Sequence, residues 1–398
     1  MGRIAAEFGR GLLLTLLAAS AAVVGGVAAR AAKPVIGPGL TVGPGGVLEK
    51  DGQRYRGIGL NWPDLMFRLL AHPDSLAVQR DFRTLQANHI PFVRVPILGA
   101  WSKAQYRLWV EPYLQHPTQY FRSFDRMVAL ARRYHVGLIP SLFFGLRWLQ
   151  NSPQLSRWRL RGSLVAWTQR NALPGRTWRR FVRQVVQRYR SSPAIWGWEF
   201  GNELNLEVDL PDAAALGIRP SYGYTHATMW KLYQQFVRLV RRYDPYRILS
   251  SGNSFPRRSS WHNMVDHTWT RDTPAEYAYM LRQDNAGFSV ISVHAYGPQA
   301  AREIAQAAAL AERWGKPLWV GEWGAAGPPK DSATEARQRF GAILAALVRA
   351  KVPLAAFWSF DEANQPENSV TADNARSWML KAIGAADQRF QREGYAVY

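Results

Sequence analysis

Short apolar runs alternate with longer amphipathic segments along most of the chain. The short runs are rich in β-branched and aromatic residues and are bounded by Gly, Pro or polar clusters, which is typical of buried strands. They predict eight strands, at 55–60, 92–95, 136–142, 195–200, 247–251, 290–294, 317–321 and 354–359. The longer segments have apolar residues at helical spacing, which predicts helices at 75–88, 121–134, 178–189, 226–243, 274–284, 300–314, 332–350 and 377–383.

The order of these elements predicts an α/β protein built as a single (β/α)8 TIM barrel. Eight strands, each followed by a helix, are what a closed parallel barrel requires. A doubly wound sheet is the rival, but it needs a Gly-rich phosphate turn after the first strand. The 57–59 segment, Gly-Ile-Gly, lacks the third Gly and leads into Pro63. An Asp-Gly turn at 51–52 adds an N-terminal β-hairpin. Long loops are expected after the third, fourth and fifth strands, at 145–176, 204–224 and 253–272.

The N-terminus has the pattern of an export signal. Arg3 and Arg10 precede an uncharged run at 11–29, and Ala-Arg-Ala at 29–31 fits a small-x-small cleavage site. We therefore expect residues 1–31 to be a signal peptide, 32–46 a Pro/Gly-rich linker and 47–398 the barrel domain. The apolar run also suffices to span a bilayer, so an uncleaved inner-membrane anchor is the alternative to a periplasmic or secreted protein.

Composition excludes several kinds of chemistry. The chain has 398 residues and no Cys, which excludes disulfides, thiolate metal sites and a thiol nucleophile. Lys and Arg outnumber Asp and Glu by 50 to 29, a formal net charge of +21, and 42 of the basic residues are Arg. Such a field attracts anionic polymers or a membrane surface, and Arg-rich loops are the expected contact. No specific nucleic-acid module is recognisable, and the charge also fits an ordinary solvated surface.

Two glutamates stand where predicted strands end. Glu203 follows the fourth strand, and Glu322 follows the apolar run at 318–321. The carboxyl ends of barrel strands meet at one rim, where strands four and seven face each other. Glycoside hydrolysis requires such a pair: one carboxyl donates a proton to the leaving oxygen, and the other attacks the anomeric carbon or activates water. Either Glu alone is equally explained as a capping or salt-bridge residue, but together they favour this chemistry.

The sequence resembles clan-A glycoside hydrolases, especially the cellulase- and mannanase-like family 5. The resemblance spans residues 46–378. It rests on Asn-Glu at 202–203, Gly-Glu-Trp-Gly at 321–324, Val-Arg-Val-Pro at 93–96, His-Ala-Tyr at 294–296 and Phe-Trp-Ser at 357–359. It implies a retaining enzyme that needs neither cofactor nor metal. In such an enzyme Glu203 is the acid/base and Glu322 is the nucleophile.

The resemblance also implies roles for five residues around the pair. Arg94 would hold the nucleophile ionised and oriented, and Asn202 would bind the substrate 2-hydroxyl. Tyr296 would contact the nucleophile, and His294 would support the site. Trp358 would form a stacking platform under the cleaved sugar, because sugar C–H faces pack well on aromatic rings.

Two further residues, Asn61 and Trp62, end the first strand and are expected to line the cleft. One departure concerns the third strand. Many relatives carry a His near its end, whereas residues 139–144 contain none. The substrate contacts beside the cleaved sugar, and with them the sugar itself, are therefore left open.

Several functions fit this set of residues. The leading prediction is an exported enzyme that cleaves a β-linked, β-1,4 glucan or mannan-type polysaccharide. The same two glutamates would serve an exo-acting or transglycosylating enzyme on a bacterial exopolysaccharide. A non-catalytic protein that binds polysaccharide or an anionic surface is the alternative from another class, but it predicts the loss of a carboxylate, and both are present. The oligomeric state is not determined by the sequence.

Overall fold

Eight parallel strands form the centre of the molecule. The computed structural model describes residues 37–99, 110–144, 163–216, 218–324 and 333–398. The strands are β1 (Leu40–Val42), β2 (Leu48–Lys50), β3 (Gln53–Arg54), β4 (Gly57–Asn61), β5 (Phe92–Pro96), β6 (Gly137–Phe143), β7 (Gly197–Gly201), β8 (Ile248–Ser250), β9 (Ile291–Ala295), β10 (Leu318–Trp323) and β11 (Leu354–Phe357). β4 to β11 form one sheet in the order β8-β7-β6-β5-β4-β11-β10-β9, and every neighbouring pair is parallel. This is the predicted (β/α)8 TIM barrel.

The seam between β8 and β9 is closed by individual hydrogen bonds. The Ser289 backbone N–H donates to the Leu249 carbonyl at 2.9 Å, and its Oγ accepts from the Leu249 N–H at 3.0 Å. Ser292 Oγ donates to the Asn253 carbonyl at 3.1 Å. Because β8 has only three residues, it is too short for a regular backbone hydrogen-bond ladder with β9, and these serine side chains help to close the barrel there.

Helices surround the sheet. They are α1 (Leu65–Ala71), α2 (Leu76–Ala87), α3 (Pro117–Arg133), α4 (Leu164–Thr168), α5 (Leu173–Tyr189), α6 (His226–Arg241), α7 (Ser260–Val265), α8 (Pro274–Gln283), α9 (Ala300–Arg313), α10 (Ala333–Arg349) and α11 (Trp378–Arg392). Side-chain caps fix several starts: Ser75 accepts from the Val78 N–H, and Thr273 forms a capping box with Glu276. The sequence pattern missed α1, α4 and α7, which have seven residues or fewer, because periodicity needs a longer window. It also ended the last helix at 383, nine residues before α11 ends at Arg392.

A small antiparallel sheet lies against the amino-terminal ends of the barrel strands. β2 and β3 form the predicted hairpin, with Glu49 opposite Arg54. β1 pairs with β2, so Leu40–Val42 belongs to the fold and not to the linker we expected over 32–46. Leu40 is fully buried, and this burial of apolar surface stabilises the short segment as a strand. The apolar residues that join this sheet to the barrel include Leu40, Leu48, Tyr55, Trp196 and Trp319.

Parts of the chain that the sequence analysis singled out lie outside the described residues. They include the predicted signal segment at 1–31 and most of the basic loop that begins at 145. Within the part that is described, no helix is both long enough and apolar enough to cross a membrane.

Candidate active site

The two predicted catalytic glutamates meet at the carboxyl ends of the barrel strands. Glu203 lies two residues beyond the end of β7, and Glu322 lies in β10. One carboxylate oxygen of Glu203 and one of Glu322 lie within 4.8 Å of each other. The structure therefore places both carboxylates where a single sugar ring can reach them.

Glu322 is held from two sides. Its Oε1 accepts from Arg94 Nη1 at 2.6 Å, and its Oε2 accepts from the Tyr296 hydroxyl at 2.7 Å. Bonds of this length to a carboxylate are charge-assisted and strong. They fix the plane of the Glu322 carboxylate. The hydroxyl of Tyr296 stays protonated, because burial and the adjacent Glu322 raise its pKa well above the usual value.

Glu203 lies on a turn in a left-handed backbone conformation, with φ at +50°. Such a φ is uncommon for a residue other than glycine, and strained positions of this kind cluster at functional sites. The Glu203 N–H donates to the Gly252 carbonyl at 2.8 Å and holds the turn in place. The Glu203 side chain is 32% exposed, whereas that of Glu322 is 7% exposed. Glu203 is thus the more accessible of the two carboxylates.

His294 lies between the two carboxylates. Its Nδ1 is 2.8 Å from Glu203 Oε1 and 3.5 Å from Glu322 Oε2. Burial raises the pKa of Glu203, but the hydrogen bond and charge of His294, with a contribution from Arg94, outweigh burial and hold this pKa below its usual value. A general acid must carry a proton. Loss of the His294 contact would therefore raise the pKa of Glu203 toward the range that an acid needs.

Arg94 connects four polar side chains inside the barrel. It is fully buried, and its Nε donates to Glu199 Oε1 at 2.6 Å. Its Nη1 also donates to Asn61 Oδ1 at 3.0 Å, and its Nη2 donates to Asn202 Oδ1 at 2.8 Å. Burial lowers the pKa of Arg94, but the charges of Glu199 and Glu322 outweigh burial and raise it. The guanidinium is therefore charged and fixed in orientation.

Asn61 and Trp62, which we expected to line the cleft, are both buried, and Asn61 instead supports Arg94 from inside the barrel. Asn61 is 1% exposed and donates from Nδ2 to the Gly321 carbonyl at 2.9 Å. Trp62 is fully buried and packs against Phe82 and Phe360, with ring centroids 5.1 and 5.0 Å apart. Successive side chains along a strand point to opposite sides. Asn61 therefore points into the barrel and the next residue points to the helix layer, so neither reaches the mouth.

Trp358 follows β11 at the same rim as the two glutamates. It is 6% exposed, and its Nε1 donates to Gln365 Oε1 at 3.0 Å. The peptide bond from Trp358 to Ser359 is cis. The position agrees with a residue of the site, and its role as a stacking platform stays a prediction.

Sequence reasoning missed two residues of the network. Glu199 is fully buried in β7 and bonded to Arg94, and the nearby Ser254 side chain makes a small contribution to lowering the pKa of Glu203. Glu199 had a signal in the sequence, because a carboxylate inside a buried parallel strand must have a partner. Ser254 had none, since it is one of several serines in a loop.

Two groups of described side chains have the spacing of metal ligands. The first is Glu203, His294 and Glu322, and the second is His262, Asp272 and Glu276. In the first group, hydrogen bonds through His294 and to Arg94 and Tyr296 account for the close approach. In the second, Asp272 accepts from two backbone N–H groups and Glu276 caps α8. Both sets of carboxylates thus have structural partners within the protein, and the absence of a metal stays a prediction.

A TIM barrel with two carboxylates facing each other at the carboxyl-terminal rim is the framework of a glycoside hydrolase. Residues 166–364 match the family model described as cellulase (glycosyl hydrolase family 5). The chain therefore belongs to glycoside hydrolase family 5, as the sequence resemblance indicated.

Solved structures with the same fold include two mannanases and a mannosidase. The endo-1,4-β-mannanase from Rhizomucor miehei superposes with a TM-score of 0.62 at 13% identity, over 87% of this chain and 99% of its own. The hyperthermostable endo-1,4-β-D-mannanase from Thermotoga petrophila RKU-1 superposes with a TM-score of 0.60 at 14% identity, over 83% of this chain and 100% of its own. The exo-β-1,4-mannosidase from Opitutaceae bacterium strain TAV5 superposes with a TM-score of 0.59 at 15% identity, over 88% of this chain and 62% of its own. No curated protein sequence matches the chain.

Proposed function

We propose that the protein is a retaining β-glycosidase in which Glu203 is the acid/base and Glu322 is the nucleophile. The observation that carries the proposal is the distance within 4.8 Å between their carboxylate oxygens. Retaining pairs are about 5–5.5 Å apart, whereas inverting pairs are about 6.5–9.5 Å apart to leave room for a water molecule. The spacing favours direct attack by Glu322.

In the first step, Glu322 attacks the anomeric carbon as the glycosidic C–O bond breaks. The leaving oxygen takes the proton of Glu203, and a glycosyl-enzyme ester forms on Glu322. The contacts from Arg94 and Tyr296 orient the attacking carboxylate. Because the transition state has oxocarbenium character, the negative charge of Glu322 also stabilises it.

In the second step, Glu203 is ionised and accepts a proton from water. The water oxygen bonds to the anomeric carbon, the ester to Glu322 breaks, and the product keeps its original configuration. Asn202 would hold the sugar 2-hydroxyl through both steps. Its Oδ1 accepts from Arg94, which fixes the orientation of its amide for this contact.

For the substrate, we propose a β-1,4-linked mannan or glucan. The three solved structures named above are called mannanases or mannosidases. Mannan is therefore the first substrate to test. The substrate contacts at the end of the third barrel strand should differ from those of relatives that carry a His there. β6 ends at Phe143 and is followed by Phe144, and both residues are buried. An apolar pair here cannot donate the hydrogen bonds that a His would supply to a sugar hydroxyl.

The test is hydrolysis of β-mannan, β-glucan, xylan and bacterial exopolysaccharides by the purified protein, measured as reducing-sugar release. Proton NMR of the first product formed reports whether the anomeric configuration is kept. Glu322→Ala should abolish hydrolysis, because no nucleophile remains. Glu393→Gln is the matched control, because Glu393 is paired with Arg389 on the far helix α11 and should leave activity unchanged.

Inversion of configuration, or full activity in the Glu322→Ala variant, would refute the proposal. Activity on exopolysaccharide alone, or release of single sugars from chain ends, would keep the mechanism and select the exo-acting or exopolysaccharide alternative. Products longer than the starting oligosaccharide would indicate transglycosylation. Folded protein that binds polymers without cleaving them would select the non-catalytic alternative.

We also propose that the enzyme is exported by its N-terminal segment. The uncharged run at 11–29 between basic residues and a small-residue site supports this. N-terminal sequencing of protein recovered outside the cytoplasm should find a start near residue 32. A start at residue 1 in the membrane fraction would favour the uncleaved anchor.

A further proposal concerns the positive charge. The adjacent barrel helices α3, α5 and α6 contain four, five and three Lys or Arg residues, and Asp125 is the only acidic residue in the three segments. Such a face attracts anionic polymers or lipid surfaces. Binding to polygalacturonate or anionic vesicles should weaken as salt rises from about 0.05 M to about 0.5 M. Binding that is absent at low salt, or independent of salt, would count against an electrostatic role.

A further inference from the structure

Glu199 is a buried carboxylate that none of the steps above uses. It lies in β7, four residues before Glu203, and has no exposed surface. Its Oε1 accepts from Arg94 Nε at 2.6 Å. Its Oε2 accepts from Ser250 Oγ and from Trp319 Nε1, each at 2.9 Å. Each of these three partners donates a hydrogen bond to the Glu199 carboxylate. These donors come from three other barrel strands, β5, β8 and β10.

The Arg94 guanidinium is thereby shared between two carboxylates on opposite edges. Nε contacts Glu199 and Nη1 contacts Glu322, each at 2.6 Å. Nη2 contacts Asn202 at 2.8 Å. Because the guanidinium is planar, fixing Nε fixes the directions of Nη1 and Nη2 as well. Glu199 therefore determines where the donors to Glu322 and Asn202 point.

We propose that Glu199 is a positioning residue for the two-step glycosidase reaction: it orients Arg94 toward Glu322 and takes up part of the guanidinium charge. The inference rests on the proposed function. Buried in a medium of low polarity, the two carboxylates compete for one positive charge. With Glu199 ionised, Glu322 is bound less tightly by Arg94 and keeps more of its nucleophilic character.

The two chemical steps respond to this charge in opposite ways. In the first step Glu322 donates an electron pair to the anomeric carbon, so an Arg94 charge that acts on Glu322 alone, and is not shared with Glu199, slows attack. In the second step Glu322 leaves as a carboxylate, and the same charge assists its departure. Removing the charge of Glu199 should slow formation of the glycosyl-enzyme more than its breakdown. A variant that only misplaces Arg94 should slow both steps.

The experiment uses the full chain and a 2,4-dinitrophenyl β-glycoside of the sugar that the wild-type enzyme hydrolyses. For wild type, retention of configuration and labelling of Glu322 by the 2-deoxy-2-fluoro analogue establish the proposed function first. If wild type shows neither, the proposed function has failed before Glu199 is tested. Values of kcat/KM then report formation of the glycosyl-enzyme, and reactivation of the labelled enzyme reports its breakdown.

Glu199→Gln keeps the shape of the side chain and removes its charge. We expect kcat/KM to fall by about 10- to 100-fold, which is typical when a residue that orients a functional side chain is changed. The rate of breakdown should fall by much less. Glu199→Asp keeps the charge but is one methylene shorter, so both steps should slow with their ratio unchanged. Asp244→Asn is the matched control, because Asp244 is also buried and accepts from an Arg and a Trp Nε1–H, those of Arg247 and Trp198. It should leave the ratio of the two steps at the wild-type value.

Equal loss in both steps for Glu199→Gln, or a ratio matching the Asp244→Asn control, would overturn charge sharing. If the Gln variant does not fold, Glu199→Asp carries the test, and wild-type rates in that variant would show that the position of this carboxylate does not matter.

Discussion

Tyr296→Phe is the most direct test of how the candidate nucleophile is held. The substitution removes one oxygen and leaves the ring in place. The lost contact is the hydrogen bond from the Tyr296 hydroxyl to Glu322 Oε2 at 2.7 Å. The Glu322 carboxylate keeps its second strong contact, from Arg94 Nη1 at 2.6 Å. The protein should therefore fold normally with a less constrained nucleophile.

The size of the effect follows from the kind of bond. A hydrogen bond to a charged group contributes about 1.5–3 kcal/mol, and about 1.36 kcal/mol corresponds to a tenfold change in rate. The range is therefore about 10- to 150-fold. Tyr296 as a whole is 39% exposed, although burial of its hydroxyl contributes to the raised pKa. We therefore take the lower end of the range and expect a fall of about tenfold in kcat/KM. The pKa of Tyr296 is raised well above its usual value, so the ratio of wild type to variant should be constant from about pH 5 to about pH 9.

The assay is kcat/KM for an aryl β-glycoside across this pH range. Tyr189→Phe is the matched control, because the Tyr189 hydroxyl also bonds to a carboxylate, that of Asp125 at 2.9 Å, but on the outer helices α3 and α5. It should cost some stability and no activity. Wild-type kcat/KM in Tyr296→Phe, or an equal loss in both variants, would refute the reasoning.

Three further predictions concern titratable groups. Glu203→Ala should slow substrates with poor leaving groups far more than dinitrophenyl glycosides, which need no acid; equal losses on both would argue against the acid role. His294→Ala should move the alkaline limb of the kcat/KM profile to higher pH, because the hydrogen bond and charge that lower the pKa of Glu203 are lost while burial still raises it; an unmoved limb would contradict this. Burial raises the pKa of Asp64 to about 7. The contribution of Asp64 to the free energy of unfolding is therefore fully present below the pKa of the unfolded chain, near 4, and is lost as the pH rises through about 7. The melting temperature should fall across that window, and Asp64→Asn should flatten the fall, whereas the exposed Asp51→Asn should not.

The sequence predicted the barrel well because strands and helices alternate with clear periodicity. The partners of Glu322, Arg94 and Tyr296, were implied by the family resemblance, which rests on short motifs at strand ends. The sequence did not anticipate the burial of Asn61 and Trp62, where a shift of one residue decides whether a side chain points into the barrel, to the helices or to the mouth.

Contacts between distant segments were beyond the reach of the sequence pattern. The pairing of Glu199 with Arg94 joins strands 105 positions apart, and no local spacing signals it. The lowered pKa of Glu203 likewise depends on His294, 91 positions away. The short strand β1 was hidden in a Pro- and Gly-rich stretch, where composition favours a linker, and it is stabilised by burial of Leu40 against the barrel.

The first barrel strand is completed by the last parts of the chain. β4 pairs with β11, with Gly57 opposite Leu354, and Tyr55 forms a bridge to Ala396. A chain growing on a ribosome therefore exposes one unpaired edge of β4 until those late segments have been made. Pairing over such a separation is slow to form, and an open edge invites association with other chains. Biosynthesis of this enzyme should thus depend on chaperones during elongation, and activity should appear only after the C-terminal segments are released.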